Sequence, residues 1–255
     1  AVREGEHYVV NGQKTWTTLG QHANMMFCLV RTDREAPRQA GISFLLIDLK
    51  TPGVQVRPIV LLDGEPEVNE VFFSDVRVPA ENRVGEENKG WTCAKYLLTH
   101  ERTGIAGVGR ARALLGQLKR FAERQPRNGR PLADAPLFAR RLAMVEIELE
   151  NMATTNLRTI AAVDPAGAPG AASSMLKIRG TQIAQEISSL YRRAMGPYAL
   201  PFIAEALEDG DTAAPVGPAD APPAAARYFR FRAMSIYGGS NEIQRNIIAK
   251  TILGL

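Results

Sequence analysis

The sequence predicts an α+β chain: an antiparallel β barrel or sandwich over residues 1–84, followed by a four-helix-bundle domain over residues 85–255. Before Gly85, short runs rich in β-branched and aromatic residues recur at close spacing with turn residues between them, the pattern of an antiparallel sheet. After Gly85, apolar residues recur three and four apart over long stretches, the helical period. The helical stretches are long and their links short or medium, so an antiparallel bundle is the natural packing solution. Strands first and helices second point to segregated layers or two domains.

Residues 7–11 and 13–18 read as strands flanking a turn at Asn11-Gly12, a strong hairpin signal. Residues 25–32, 41–49, 54–60 and 70–79 read as further strands, the third of these entered through the turn chemistry of Thr51-Pro52-Gly53 and the last closed by Pro79. A first helix is expected over residues 91–123. A second spans 134–163, opened by Asp134 and Pro136 and stopped by Pro165. A third spans 170–195. Residues 209–223, rich in Ala, Asp, Gly and Pro, read as a loop. Helix returns over 223–236, and a Gly-Gly-Ser break precedes a last helix over 241–253.

Composition narrows the function classes. With 45% hydrophobic and 23% charged residues, the chain has material for a sizeable core, which argues against global disorder. No apolar run approaches the roughly 18–20 residues of a membrane span, and the opening residues do not read as a signal peptide. The net charge of +4 is spread along the chain, which argues against nucleic acid and suits small anionic ligands. Cys28 and Cys93 sit in apolar runs without metal spacing and read as buried thiols in a reducing compartment. A cytoplasmic location is expected.

Three places hold candidate chemistry. Glu101, on a helix, has Leu97, Leu98, Gly104 and Ile105 as same-face neighbours. A carboxylate on an apolar face is costly, and desolvation would raise its pKa towards that of a general base; an ion pair with Arg102 or another arginine is the competing reading. Tyr237-Gly238-Gly239-Ser240 leads into a helix, with Ser240 as N-cap and Glu242 in the first turn. Free N–H groups there suit a phosphate, and an ordinary capped turn fits equally. Trp16, among Thr15, Thr17 and Thr18, suits a flat aromatic ligand, although its periodicity favours a core tryptophan. There is no Gly-x-Gly-x-x-Gly entering a helix, which argues against a Rossmann site.

Several of these stretches resemble the acyl-CoA dehydrogenase family. Residues 8–18 (YVVNGQKTWTT) are similar to the hairpin of its middle β domain. Residues 71–79 (VFFSDVRVP) with 82–91 (NRVGEENKGW) resemble the exit from that domain into the first long helix. Residues 236–250 (IYGGSNEIQRNIIAK) resemble the C-terminal signature. The resemblance runs in order over nearly the whole chain. It implies that the chain starts inside the β domain, with the family's N-terminal helical domain missing.

It also implies FAD and an acyl-CoA thioester, with α-proton abstraction by a glutamate and hydride transfer to flavin. Trp16, Thr18, Arg124, Gly196, Pro197, Ser240 and Glu242 fall where the family contacts FAD, although Arg124 is followed by a departure from the usual pattern at residues 125–129. Thr99, Arg102, Tyr237 and Gly238 are the implied substrate contacts. Many members carry the base in a Tyr-Glu-Gly signature. Here the run is Tyr237-Gly238-Gly239, and Glu101-Arg102 matches the smaller group, similar to isovaleryl-CoA dehydrogenase, that carries the base in the first long helix. Glu101 is then the catalytic base, and Gly238 leaves volume for a branched or bulky acyl group. The implied setting is fatty-acid β-oxidation in a homodimer or homotetramer with an electron-transfer flavoprotein as acceptor. The alternatives are a non-catalytic partner subunit of a heteromer, an acyl-CoA oxidase, and a non-enzymatic scaffold.

Overall fold

The computed structural model describes residues 1–101, 104, 106–162, 172–203 and 216–255, without the side chains of residues 99–101. Two compact units emerge, one of residues 1–61 and 65–99 and the other of residues 62–64 and 100–255.

The first unit is built from β1 (Val2–Glu4), β2 (His7–Thr18), β3 (Met25–Arg31), β4 (Ile42–Asp48), β5 (Val54–Ile59), β6 (Val68–Pro79) and β7 (Arg83–Val84). They form one sheet of order β1-β2-β6-β5 and another of order β3-β4-β7, with every strand pairing antiparallel. Alternate side chains of both sheets, among them Tyr8, Val10, Val71 and Val76 from one and Cys28, Leu45 and Ile47 from the other, close on a single core. Of the expected barrel or sandwich, this is the sandwich: a period-2 strand buries one face and must find a second sheet to cover it. Tyr8 is fully buried, and its hydroxyl donates to Glu87 at 2.9 Å and accepts from Arg83 at 3.0 Å.

The expected hairpin at Asn11-Gly12 does not form. β2 runs through it as one strand against β6, and the register shifts between Val10 and Gly12. Asn11 is held instead by Asp75: its amide donates to the carboxylate at 2.9 Å and its oxygen accepts the Asp75 backbone N–H at 2.8 Å. The dipeptide therefore makes a β-bulge, which absorbs an extra residue without reversing the chain. The two-residue hairpin signature is realised at Asn128-Gly129, where both residues have positive φ between the paired Arg127 and Arg130.

Helix α1 (Gly90–Glu101) begins in the first unit and ends in the second. Its start lies so close to β4 that a Cβ on Gly90 would meet the Ser43 carbonyl carbon and the Phe44 nitrogen at 2.5 Å. The single helix expected over 91–123 is two: α2 (Val108–Arg124) restarts after Gly107, whose φ of 61° is left-handed. Glycine takes that conformation at little steric cost, so the run of small residues breaks the helix. After α2 come the short paired strands β8 (Pro126–Arg127) and β9 (Arg130–Pro131). The second unit continues with α3 (Pro136–Ala161), α4 (Ala172–Met195), α5 (Pro222–Arg230) and α6 (Asn241–Ile248). The helix expected over 223–236 gives way to a 3-10 turn at Phe231–Ser235, and the last helix ends in a π turn at Ala249–Leu253. Pro165 and most of the expected 209–223 loop lie outside the described residues.

The bundle is organised about α4, which packs against α2, α3, α5 and α6. Leu118 and Phe121 of α2, Leu149 and Met152 of α3, and Ile183, Ile187 and Leu190 of α4 form its core. Cys28 is buried as expected, while Cys93 is only half-buried; both are free thiols.

Candidate functional site

A cavity of about 510 Å3 lies within the helical unit. Its walls come from the α1–α2 turn and the start of α2, from α4 at Lys177, Gly180 and Thr181, and from Met234 and Tyr237. Glycines give it shape in two ways. Gly180 lets α4 approach the turn, since a Cβ there would lie 2.6 Å from the Ala106 carbonyl oxygen. At Gly104, Gly107 and Gly109 a Cβ would meet nothing within 4 Å, so these residues leave space.

Glu101 is the last residue of α1, three positions before the cavity-lining Gly104. Its side chain and that of Thr99, and all of Arg102, lie outside the described residues. Leu97 and Leu98, read as its apolar neighbours, are 42% and 44% exposed. These two leucines are therefore partly covered and not buried.

Tyr237, Gly238 and Gly239 form the turn into α6, with φ of 63° and 78° at the glycines. Tyr237 lines the cavity and is largely exposed, as is Gly238. Ser240 caps α6 as expected, its hydroxyl accepting the Ile243 N–H at 3.3 Å. Glu242 is exposed in the first turn, where its own backbone N–H and the Ser240 hydroxyl hold its carboxyl below the usual range. The turn is clasped by Gln244, whose amide donates to the carbonyls of Gly238 at 3.1 Å and Gly239 at 3.4 Å. Beneath it, the ammonium of Lys177 donates to the Asn241 side-chain oxygen at 3.0 Å, and Thr181 bonds the same side chain. Lys177 is 1% exposed. Burial lowers its pKa, and the charge of Glu242 partly offsets this.

In the β unit, Trp16 is 66% exposed, which corrects the core placement that its periodicity favours. The register of β2 shifts between Lys14 and Thr17, and Trp16 inside that bulge has φ of 68°. A bulky residue seldom adopts the left-handed region, and the bulge takes the indole out of the strand's in-out alternation. Thr18, the last residue of β2, is also exposed.

Arg124 lines a second cavity of the helical unit, about 270 Å3, with Arg120, Arg227, Tyr191 and Asp220. The Arg227 guanidinium lies 5.4 Å from the centre of the Tyr191 ring. Burial, followed by the negative charge of Asp220, pushes the Tyr191 phenol up. Gly196 and Pro197 stand exposed in the 3-10 turn after α4 and do not line this cavity. The structure thus groups Tyr237 and the start of the α1–α2 turn around one cavity and places Arg124 at another.

Lys177, Asn241 and Gln244 are absent from the residues singled out in the sequence. The signal for Lys177 was a lysine between Leu176 and Ile178 at a position in phase with Ser173, Gly180 and Ala184 on a buried helix face. Among the described residues, no group of three or more His, Cys, Asp or Glu could hold a metal ion. No described helix is long and apolar enough to cross a membrane.

Comparison with known proteins identifies the family of both units. The acyl-CoA dehydrogenase middle-domain model matches residues 1–76, and the C-terminal-domain model matches residues 88–253. The chain is 36% identical to acyl-CoA dehydrogenase IpdE1 of Mycobacterium tuberculosis over 99% of its own length and 60% of the relative's. It is 32% identical to acyl-CoA dehydrogenase FadE29 of the same organism over 98% of its length and 61% of the relative's. The ChsE4-ChsE5 complex from Mycobacterium tuberculosis contains a chain of the same fold, with a TM-score of 0.83 and 30% identity over all of this chain and 63% of that one. The steroid acyl-CoA dehydrogenase Tcur3481-Tcur3483 gives a TM-score of 0.85 and 27% identity over all of this chain and 62% of that one. The chain therefore spans about 60% of the length of the curated relatives it matches. With both of its units matched by the family's domain models, the chain belongs to the acyl-CoA dehydrogenase family.

Proposed function

We propose that this chain takes part in the FAD-dependent α,β-dehydrogenation of an acyl-CoA thioester, with residues 1–84 as its part of the middle β domain and residues 85–255 as the helical domain. The observation that carries the reading is the cavity of about 510 Å3 lined both by Gly104, just past Glu101, and by Tyr237 of the C-terminal signature. In this reading a Glu101 carboxylate oxygen takes the α-proton, while Thr99, Arg102, Tyr237 and Gly238 orient the thioester. The uncrowded Gly104, Gly107 and Gly109 support a branched or polycyclic acyl group over a short straight one.

The residues fit FAD. An exposed indole on a strained bulge supports Trp16, with Thr18, as flavin contacts, because strain of this kind concentrates at binding sites. The three arginines around Tyr191 support Arg124 as a phosphate contact; Gly196, Pro197, Ser240 and Glu242 complete the proposed set. When bound, the flavin supplies the hydride acceptor. An electron-transfer flavoprotein is the proposed partner that reoxidises it, and oxygen consumption with substrate would point to an oxidase instead. A second reading is favoured by the match to a chain of the ChsE4-ChsE5 complex: this chain is a non-catalytic partner subunit working beside an unlike homologue.

The test is the visible spectrum of the purified protein, before and after anaerobic addition of straight and polycyclic acyl-CoA thioesters. We expect a flavin band that bleaches fastest with the bulky thioesters, and a loss of bleaching by about 100-fold or more in Glu101→Gln, the scale of a general-base contribution. Bleaching that persists in the variant removes Glu101 as the base. A flavin band found only after co-purification with a homologue supports the second reading.

A further inference from the structure

Lys177 is a buried amine at a wall of the cavity, and its ammonium donates to the side-chain oxygen of Asn241. Nothing in core packing calls for an ammonium there: Leu176 and Ile178 beside it are ordinary buried aliphatics, and a long apolar side chain would fill the same space without the desolvation cost. What the amine adds is a directed bond. Asn241 is the first residue of α6, next to the cap residue Ser240 and two positions past Gly239.

The Tyr237-Gly238-Gly239 turn needs such restraint. Two consecutive glycines carry more backbone freedom than any other pair, and holding them in one conformation is entropically expensive. Gln244 ties their carbonyls from within α6. That clasp moves with α6 and cannot fix the turn relative to the cavity. The bonds of Asn241 with Lys177, which donates to its oxygen, and with Thr181, whose hydroxyl accepts from its amide, fix it, because both partners belong to α4, the helix whose Gly180 also sets another wall through its close approach to Ala106. One stretch of α4, residues 177–181, thus registers both sides of the cavity.

We propose that Lys177 is a positioning residue: through Asn241 it anchors the Tyr237-Gly238-Gly239 turn at the cavity wall and so sets where the thioester lies relative to that turn. The consequence for turnover rests on the dehydrogenase reading; the anchoring itself does not. In the full chain, Lys177→Met keeps length and apolar bulk but removes the bond. Amide hydrogen exchange over residues 236–245 is the first readout, and we expect it to quicken about tenfold or more there, while the cores of α2 and α3 are unchanged. The second readout is the flavin-bleaching rate, expected to fall about tenfold or more from misplacement alone. Asn241→Ala should give the same two effects, and adding Lys177→Met to it should give little more, since the pair acts as a unit.

Unaltered exchange over 236–245 in Lys177→Met would overturn the proposal, as would additive effects of the two substitutions. Loosening spread evenly over the helical unit would also overturn it, by making Lys177 a general stability residue. If Lys177→Met does not fold, Asn241→Ala and Thr181→Val decide the same question by exchange. A parent protein that bleaches with no thioester defeats the dehydrogenase reading, yet leaves the exchange result to stand or fall alone.

Discussion

Trp16 is where a single residue departs furthest from its local pattern. An indole among threonines on a strand reads as core, yet the bulge between Lys14 and Thr17 turns it out to 66% exposure at a φ of 68°. A large side chain kept in the left-handed region costs about 1–2 kcal/mol and returns little by packing when it is this exposed. The expected outcome of Trp16→Ala is a folding stability within about 1 kcal/mol of the parent, measured by urea denaturation, together with marked loss of bound flavin on gel filtration. A variant that keeps its flavin stoichiometry would remove Trp16 from the site. Lys177 is the opposite case. Its burial was foreshadowed by the apolar residues beside it, but its partner lies 64 positions away in the chain, and no local pattern points there.

At the scale of elements, glycines decide the course of the chain. The break between α1 and α2 comes from Gly107 in a left-handed conformation, where helical periodicity alone ran straight through. Gly180 and Gly109 then predict opposite results. A methyl group at Gly180 would lie 2.6 Å from the Ala106 carbonyl oxygen. Gly180→Ala should therefore cost about 1–3 kcal/mol, as overpacking does, and widen the distance between α4 and the turn. Gly109→Ala meets open space inside α2 and should be neutral or stabilising by up to about 1 kcal/mol, while weakening the binding of bulky thioesters. Urea midpoints for the two variants in parallel check the sign of each. The two Asn-Gly dipeptides show where a glycine alone does not decide. At Asn128-Gly129 the flanking residues pair with each other and a hairpin forms. At Asn11-Gly12 the flanks pair with β6, Asp75 takes up the asparagine, and a bulge forms.

For the whole molecule, Lys177 makes stability depend on pH in a defined sense. Its folded-state pKa lies below the ordinary lysine value, chiefly through burial. Below the lowered value, folded and unfolded chains both carry the proton and the fold bears the full cost of a buried charge. As pH rises from there towards about 10.4, the folded chain releases its proton before the unfolded one, and that cost is relieved. The parent should therefore gain stability relative to Lys177→Met between neutral pH and about pH 10, read as the difference between their urea midpoints. A difference constant over that range would contradict the assignment.

The architecture was legible because it rests on short-range periodicity. Short runs rich in β-branched and aromatic residues, bounded by turn residues, place strands over 25–32, 41–49, 54–60 and 70–79, within one or two residues of their observed ends. Three-and-four spacing does the same for α3 and α4. The Ser240 cap was legible too, since a cap is made by residues within one turn of each other. What only the tertiary structure decided are the features whose partners are distant in sequence. Whether Asn11-Gly12 turns or bulges depends on β6, whether Trp16 is inside or outside depends on the register of β2 against it, and Lys177 acquires meaning only when α6 is laid beside α4. Local sequence carries the period of an element; which groups then meet across elements is set by packing the whole chain around its cores.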